Sequence, residues 1–245
     1  MMKHYSVFLF LLVVSFVSSA QVKVHSHNDY NHQKPFYDAV TNKAFSIEAD
    51  VFVVGDSLMV AHSRKEIKVG NTLENLYLKR IAALAETNRF YSFQLMIDFK
   101  DSWTSTYPIL LKALKPYQKY FTRGDKKVTI VISGNRPSDS TYHTYKALSF
   151  DGLPNVNYAA KDLKKVAMIS DNFATYSKWK GVGEIAASDR AKLKELVDNA
   201  HKIGKPFRFW AAPDNETCWK LLDDLGANII NTDKVAEAAN YFKTN

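Results

Sequence analysis

FSIEADVF, at positions 45–52, predicts a β-strand with one apolar and one acidic face. Side chains alternate across a strand, so Ile47 and Val51 share the apolar face, whereas Glu48 and Asp50 share the other. Two carboxylates on one face are costly to bury unless positive charge lies between them. A hard divalent cation would supply that charge, and so would a Lys or Arg on a neighbouring strand.

Strand and helix patterns alternate from position 22 to the end of the 245-residue chain. The predicted strands lie at 22–25, 45–52, 58–61, 93–99, 128–133, 156–159, 166–171, 206–210 and 228–233. Helices are expected at 36–44, 72–88, 107–121, 138–148, 188–203, 215–225 and after Asp233. About eight βα units with short connections favour a single (β/α)₈ TIM barrel. A doubly wound sheet is the main alternative, but it usually carries a Gly-rich turn after its first strand, and residues 25–30 contain no Gly.

Polar side chains lie at the carboxyl ends of the predicted strands, where a barrel gathers its active site. They are His25, Glu48, Asp50, Asp98, Ser133, Trp210 and Asp233. Glu48, Asp50 and Asp98 offer three oxygen ligands from two strands, which suit Mg²⁺ or Ca²⁺ better than Zn²⁺. Lys100 lies in phase with Asp98 and can hold a phosphate oxygen.

Three histidines in the first third of the chain provide candidates for acid–base catalysis. His25 and His27 share the polar face of the first strand, and His62 follows the hairpin strand. Two histidines beside a phosphodiester could deprotonate a nucleophile and protonate the leaving oxygen. We expect the nucleophile to come from the substrate or from water, because Ser26 faces away and Ser133 has no nearby His in sequence to activate it.

The N-terminal twenty residues predict export. A basic start, an apolar run over positions 7–17 and a small-residue end at Ala20 are typical of a cleaved signal peptide, which makes Gln21 the mature N-terminus. We therefore expect a periplasmic or secreted protein with one catalytic domain over residues 21–245. Cys218 is the single Cys, so an internal disulfide is excluded.

The net charge of +8 is compatible with an ordinary basic surface or with attraction for anionic ligands such as phosphates and lipid head groups. Basic tracts interleaved with aromatic residues are missing from the sequence, which argues against nucleic-acid binding. We expect a monomer that acts on a small-molecule or lipid phosphodiester, and the sequence leaves peripheral contact with a membrane open.

Together these motifs resemble the glycerophosphodiester phosphodiesterase superfamily, and most of all its branch with spider-venom phospholipase D. The residues that carry the resemblance are His25-x-x-Asn28, Glu48-x-Asp50, His62 and Asp98-x-Lys100. Phe209-Trp210 and the run 229–233 are similar to the last two strands of the family. The resemblance extends over residues 22–233. It departs from the bacterial enzymes in its opening, since positions 25–27 lack their His-Arg-Gly, and many members carry Glu at the position of Asp98.

The resemblance implies a TIM barrel of the phospholipase-C-like phosphodiesterase type, with one Mg²⁺ or Ca²⁺ on the three carboxylates. It implies that His25 and His62 form the catalytic pair. It also implies substrate contacts from Lys100, Asn28, His27 and Trp210. In relatives, a hydroxyl next to the phosphate attacks first and gives a cyclic phosphate.

Two other functions fit parts of the sequence. A His-metal hydrolase of the amidohydrolase or polymerase-histidinol-phosphatase type could be built on His25-x-His27, but it needs further His ligands, and His143 and His201 both fall in predicted helices. An exported binding protein could keep the barrel without activity, although the His, Glu, Asp and Lys set is complete.

Overall fold

A computed structural model describes residues 22–122 and 124–244 of the chain. Its nine strands form one sheet: β1 (Lys23–Ser26), β2 (Ser46–Val54), β3 (Ser57–Val60), β4 (Phe93–Phe99), β5 (Val128–Gly134), β6 (Ser149–Gly152), β7 (Val166–Asn172), β8 (Phe207–Trp210) and β9 (Ile229–Thr232). β1 pairs in parallel with both β9 and β2, so the sheet closes. β3 pairs antiparallel to β2 as a hairpin arm. The other eight strands form the predicted (β/α)₈ barrel, which is confirmed.

Helices connect the strands. They are α1 (Tyr37–Thr41), α2 (Lys79–Ala85), α3 (Trp103–Leu114), α4 (Lys119–Thr122), α5 (Ala160–Leu163), α6 (Phe173–Tyr176), α7 (Ala187–Lys202), α8 (Glu216–Asp224) and α9 (Val235–Thr244). A π-helical turn, Glu74–Leu78, leads into α2, and 3₁₀ turns occur at Asp29–Asn31, Arg64–Glu66, Lys115–Tyr117 and Asp139–Thr144.

Three predicted elements differ from the structure. Residues 156–159 are a loop rather than a strand, and the strand in this part of the barrel is β6, which is four residues long and ends in Asp-Gly, a pair typical of turns. Only a 3₁₀ turn forms within the helix expected at 138–148. The 107–121 helix begins earlier, because the Ser102 side chain accepts a hydrogen bond from the Ser105 backbone N–H and caps α3. Ser188 lies inside α7 and does not cap it.

Alternation along the strands separates two layers of packing. Outward-facing side chains such as Ile47, Leu95 and Ile132 are fully buried beneath the helices. Inward-facing Met96, Val131, Met168 and Ile229 form a small apolar cluster within the barrel. This apolar cluster supports the polar residues at the carboxyl ends of the same strands.

The expected signal peptide at residues 1–20 lies outside the described residues. Over 22–122 and 124–244, the helices are too short or too polar to cross a membrane. The prediction of export therefore stays a prediction.

Candidate active site

A cavity of about 380 Å³ opens at the carboxyl ends of the barrel strands. Each of the eight barrel strands except β9 contributes residues to the cavity wall, either from the strand or from the loop that follows it. The lining residues are His27, Asn28, Glu48, Asp50, His62, Asp98, Lys100, Ser133, Gly134, Arg136, Asp151, Leu153, Ser170, Arg208 and Trp210. This set contains all the predicted metal and substrate residues.

Glu48, Asp50 and Asp98 form an acidic cluster at one side of the cavity. Asp50 lies directly opposite Asp98 in the register of β2 and β4. One carboxylate oxygen from each of the three residues lies within 4.8 Å of the other two. Lys100 Nζ lies 2.9 Å from Asp50 Oδ2 and also contacts Asp98 Oδ2. Lys100 therefore compensates part of the cluster's charge.

The donor set of the acidic cluster fits a hard divalent cation. Asp98 Oδ1 is buried, and it has no hydrogen-bond partner within residues 22–122 and 124–244. A buried carboxylate oxygen of this kind is costly unless a cation or donor reaches it. Three carboxylate oxygens are the ligands that Mg²⁺ and Ca²⁺ prefer. The predicted ligands are thus brought together by the structure.

Because Gly134 has no side chain, there is room beside it for the Asp98 carboxylate. Gly134 ends β5 beside Asp98 and has a φ of +67°, a conformation that favours glycine. A Cβ atom here would overlap Asp98 Oδ1 and the backbone oxygen of Phe99. A side chain at this position would therefore displace a predicted metal ligand.

Mutual repulsion makes Asp50 easier to protonate. Burial, followed by the charges of Glu48 and Asp98, raises the pKa of Asp50 to about 6, although Lys100 acts in the opposite direction. The Tyr30 hydroxyl lies 2.9 Å from Asp50 Oδ2 and 2.7 Å from Asn28 Oδ1. Since one hydroxyl proton serves two acceptor oxygens, this corner of the site is rich in acceptors, as a cation site requires.

His27 lines the cavity, and Asp233 holds its ring in place. Its Nδ1 lies 2.8 Å from Asp233 Oδ1. Burial disfavours the charged imidazole, but the hydrogen bond to Asp233 and the nearby Glu48 outweigh burial and raise the pKa of His27. The next residue, Asn28, adopts the left-handed conformation with φ of 45°, which Asn tolerates better than most residues. His27 thus has an oriented ring, as acid–base catalysis needs.

His62 reaches the same cavity from the loop after β3. Its side chain is largely exposed, and its Nδ1 lies 3.6 Å from Asp50 Oδ2. Trp210, at the end of β8, is 41% exposed at the rim of the cavity. The expected positions of His62, Asn28, Lys100 and Trp210 around one cavity are therefore observed.

His25 lies below the cavity, contrary to the expectation that it faces a substrate. It is fully buried, and its Nε2 lies 2.8 Å from Glu48 Oε2 and 2.8 Å from Arg208 Nη1. The register pairs His25 with Ser46, two residues before Glu48 on β2. Burial and then the Arg208 charge lower the pKa of His25 to about 4. The catalytic role of His25 stays a prediction, but the structure gives its ring no contact with the cavity.

Arg208 and Asp151 are buried site residues that the sequence reasoning missed. Asp151 Oδ2 accepts hydrogen bonds from Arg208 Nη2 (3.1 Å), Ser170 Oγ (2.6 Å) and Ser133 Oγ (3.2 Å). Arg208 could have been found by strand alternation, because it is in phase with Trp210. Asp151 carried no usable signal, because its strand was not predicted.

Other reactive groups lie away from the cavity. His143 pairs with Asp162, and His201 lies 2.7 Å from Asn228 Oδ1. Cys218 is buried in α8, and burial raises the pKa of its thiol to about 12. Ser26 is buried and donates a hydrogen bond to Asp29. None of these four residues is placed to ligate a metal in the cavity or to attack a substrate there.

Comparisons with known proteins identify a matching domain model and similar relatives. The model of the AIM6-like phosphodiesterase domain matches residues 16–94. The Altered inheritance of mitochondria protein 6 homolog of Arthroderma benhamiae is 26% identical, with 90% of this chain and 84% of the relative covered.

Solved structures share the fold. A glycerophosphodiester phosphodiesterase from Parabacteroides distasonis superimposes with a TM-score of 0.64 at 16% identity, over 92% of this chain and 98% of that one. A Ca²⁺-dependent phosphatidylinositol-specific phospholipase C from Streptomyces antibioticus gives a TM-score of 0.60 at 12% identity, over 91% and 95%. These structures show that the chain has the fold of such enzymes, and the match of residues 16–94 to a phosphodiesterase domain model supports the resemblance that the sequence motifs carry.

Proposed function

We propose that this protein is a metal-dependent phosphoric diester hydrolase that works in the cavity at the carboxyl ends of the barrel strands. The observation that carries the proposal is the acidic cluster of Glu48, Asp50 and Asp98, with the unpartnered Asp98 Oδ1 and with Lys100 beside it. The match to a phosphodiesterase domain model and the fold of diester-cleaving neighbours support the reaction class.

Glu48, Asp50 and Asp98 would hold one Mg²⁺ or Ca²⁺. A cation bound there would neutralise charge on the phosphoryl oxygens. Calcium-dependent enzymes among the structural neighbours support a hard cation. Lys100 would shift from its aspartate partners towards a phosphate oxygen, which it can hold as a compact positive charge.

His27 and His62 are the pair that the geometry favours for proton transfer. We assign His27 in place of His25 because it lines the cavity and because Asp233 orients its ring through Nδ1. Nε2 of His27 then remains to take a proton from the attacking hydroxyl or to return one to the leaving oxygen. His62, which lines the same cavity from another segment, would serve as the complementary acid or base.

The attacking hydroxyl would come from the substrate or from water. Ser133 lines the cavity and donates a hydrogen bond to Asp151, but that carboxylate oxygen already accepts from Ser170 and Arg208. A nucleophilic Ser needs an adjacent base that is available to take its proton. By resemblance to the superfamily, a diester with a free hydroxyl next to the phosphate would be cleaved faster than one without, and a cyclic phosphate would be detectable by phosphorus NMR during turnover.

We also propose that the protein acts after export, on a small-molecule or lipid phosphodiester. The N-terminal signal pattern of the sequence supports export. The positive net charge and the exposed Trp210 at the cavity rim support contact with anionic lipid head groups.

Metal removal tests the proposal. Purified protein would be treated with a chelator, assayed against a panel of phosphodiesters, and reassayed after addition of Mg²⁺, Ca²⁺ or Zn²⁺. We expect activity to fall at least ~10³-fold and to return with Mg²⁺ or Ca²⁺, because Lewis-acid stabilisation is worth several kcal/mol. Asp98→Asn should lose metal binding and activity together.

Asp162→Asn is the control, since Asp162 is a buried aspartate that pairs with His143 away from the cavity. Full activity in chelator, or rescue by Zn²⁺ alone, would contradict the proposal. Metal binding without turnover of any diester would favour the non-catalytic binding protein instead.

A further inference from the structure

Arg208 is a buried cation directly beneath the acidic cluster. It is 3% exposed, and it projects from β8 into the barrel. Its Nη2 lies 3.1 Å from Asp151 Oδ2, and its Nη1 lies 3.1 Å from Asn231 Oδ1. Nη1 also lies 3.7 Å from Glu48 Oε2. A buried guanidinium is costly unless several acceptors surround it, so this one is held in a single orientation.

The two positively charged side chains of the site contact different carboxylates. Lys100 contacts Asp50 and Asp98, whereas Arg208 lies between Glu48 and Asp151. Lys100 is partly exposed and can exchange its partners for a phosphate. Arg208 is only 3% exposed and pairs with Asp151 and Glu48, so we expect it to keep these partners when the cavity binds a ligand.

Glu48 presents one fixed oxygen and one free oxygen. Oε2 lies 2.8 Å from His25 Nε2 and faces Arg208, whereas Oε1 has no hydrogen bond within the described part of the chain. Glu48 is thus anchored through Oε2, and Oε1 remains to bind a cation.

We propose that Arg208 is the positioning residue that holds Glu48 as a metal ligand. The proposal rests on the metal site of the proposed function. Partners that orient a metal ligand typically contribute a factor of 10 to 100 to metal affinity. The planar fork of Arg208 reaches Asp151 with one nitrogen and the Glu48 side with the other, which the single nitrogen of a lysine cannot do.

Calorimetric titration with CaCl₂ and with MgCl₂ tests the inference without relying on activity. We expect Arg208→Lys and Arg208→Ala to raise the metal Kd about 10- to 100-fold relative to the unmodified protein. Titrations would be run well below the melting temperature of each variant, so that loss of stability alone leaves Kd unchanged. Asp162→Asn is again the control, because it removes a buried ionic partner elsewhere and should keep the metal Kd of the unmodified protein.

Chemical rescue gives a readout that a purely structural role would not produce. Millimolar methylguanidinium should restore part of the metal affinity of Arg208→Ala, because it can occupy the space of the missing side chain. It should not change the affinity of Arg208→Lys, in which that space is filled. If Arg208→Ala does not fold, Arg208→Lys carries the test.

The outcomes separate the two proposals. Unaltered metal affinity in folded Arg208→Lys would overturn the role of Arg208 and leave the proposed function intact. Failure of the unmodified protein to bind either cation would overturn the proposed metal site, and the role of Arg208 with it.

Discussion

Strands β1, β2 and β4 bring the acidic cluster and His27 to the cavity, whereas β5 to β8 bring Ser133, Asp151, Ser170 and Arg208. The residues of the first half come in short motifs, and each is suited to touch a cation or a phosphate. Those of the second half come singly, and they mainly bind one another around Asp151. Under the proposed function, one half of the barrel would carry the reacting groups and the other half would hold them in place.

Replacing His25, in β1, and His27, directly after β1, is the sharpest way to test this division. We expect His27→Ala to lower kcat by ~10²–10⁴, the usual contribution of a positioned acid or base, with the metal Kd unchanged. His25→Ala should mainly lower the melting temperature and weaken metal binding, because His25 contacts Glu48 and Arg208 rather than the cavity.

Rates would be compared at saturating metal and corrected for the folded fraction of each variant. A larger loss of kcat for His25→Ala than for His27→Ala would restore the catalytic role that the sequence motif implied. It would also show that a residue buried below the cavity takes part in the reaction itself.

A substitution at Gly134 tests whether the second half of the barrel influences metal binding by the acidic cluster of the first half. Gly134→Ala should weaken metal binding roughly 10- to 100-fold, as loss of a ligand's supporting surroundings does, because the new Cβ would push Asp98 out of position. Gly183→Ala is a matched control, since Gly183 has a φ of +66° but nothing within 4 Å of the new Cβ.

Both glycine variants incur the same backbone strain, so a difference in metal Kd between them isolates the overlap with Asp98. Equal metal affinities in titration calorimetry would show that the acidic cluster tolerates displacement from β5.

The smallest expected effect is one on stability: Asp50→Asn should raise the stability of the metal-free protein. Because the pKa of Asp50 is about 6 in the folded protein and near 3.8 when unfolded, its ionisation destabilises the metal-free fold as pH rises through this interval. The amide removes that penalty. We expect a gain of roughly 1–2 kcal/mol at pH 7.5, less than the full shift implies because Lys100 loses one partner.

The gain should shrink as the pH falls from 6 towards 3.8 and vanish below about pH 3, where Asp50 is protonated in both states. Saturating metal should reverse the order of the two proteins. Denaturant unfolding with and without metal measures both effects. A metal-free Asp50→Asn variant that is less stable at pH 7.5 would show that Lys100 already compensates the acidic cluster fully.

Sequence patterns were enough to predict the barrel and the acidic residues of its first half. Apolar alternation along β2 and β4 places Glu48, Asp50 and Asp98 on one face, since successive side chains of a strand point to opposite sides. Repeated βα units then bring the strand ends to one rim. For the same reason the sequence places the acidic cluster, Lys100 and Trp210 around one cavity, as the structure does, whereas their roles stay predictions.

The depth of each residue in the barrel and its long-range partners could not be predicted from sequence patterns, because both depend on how the strands assemble. His25 and His27 point to the same side of β1, but the stagger between barrel strands sets His25 level with Ser46 and leaves only His27 at the cavity. Arg208 lies 183 positions after His25 and meets it only because β9 closes the sheet between β8 and β1. Period-2 alternation specifies the side to which a residue points, whereas strand stagger and closure specify its height and its neighbours.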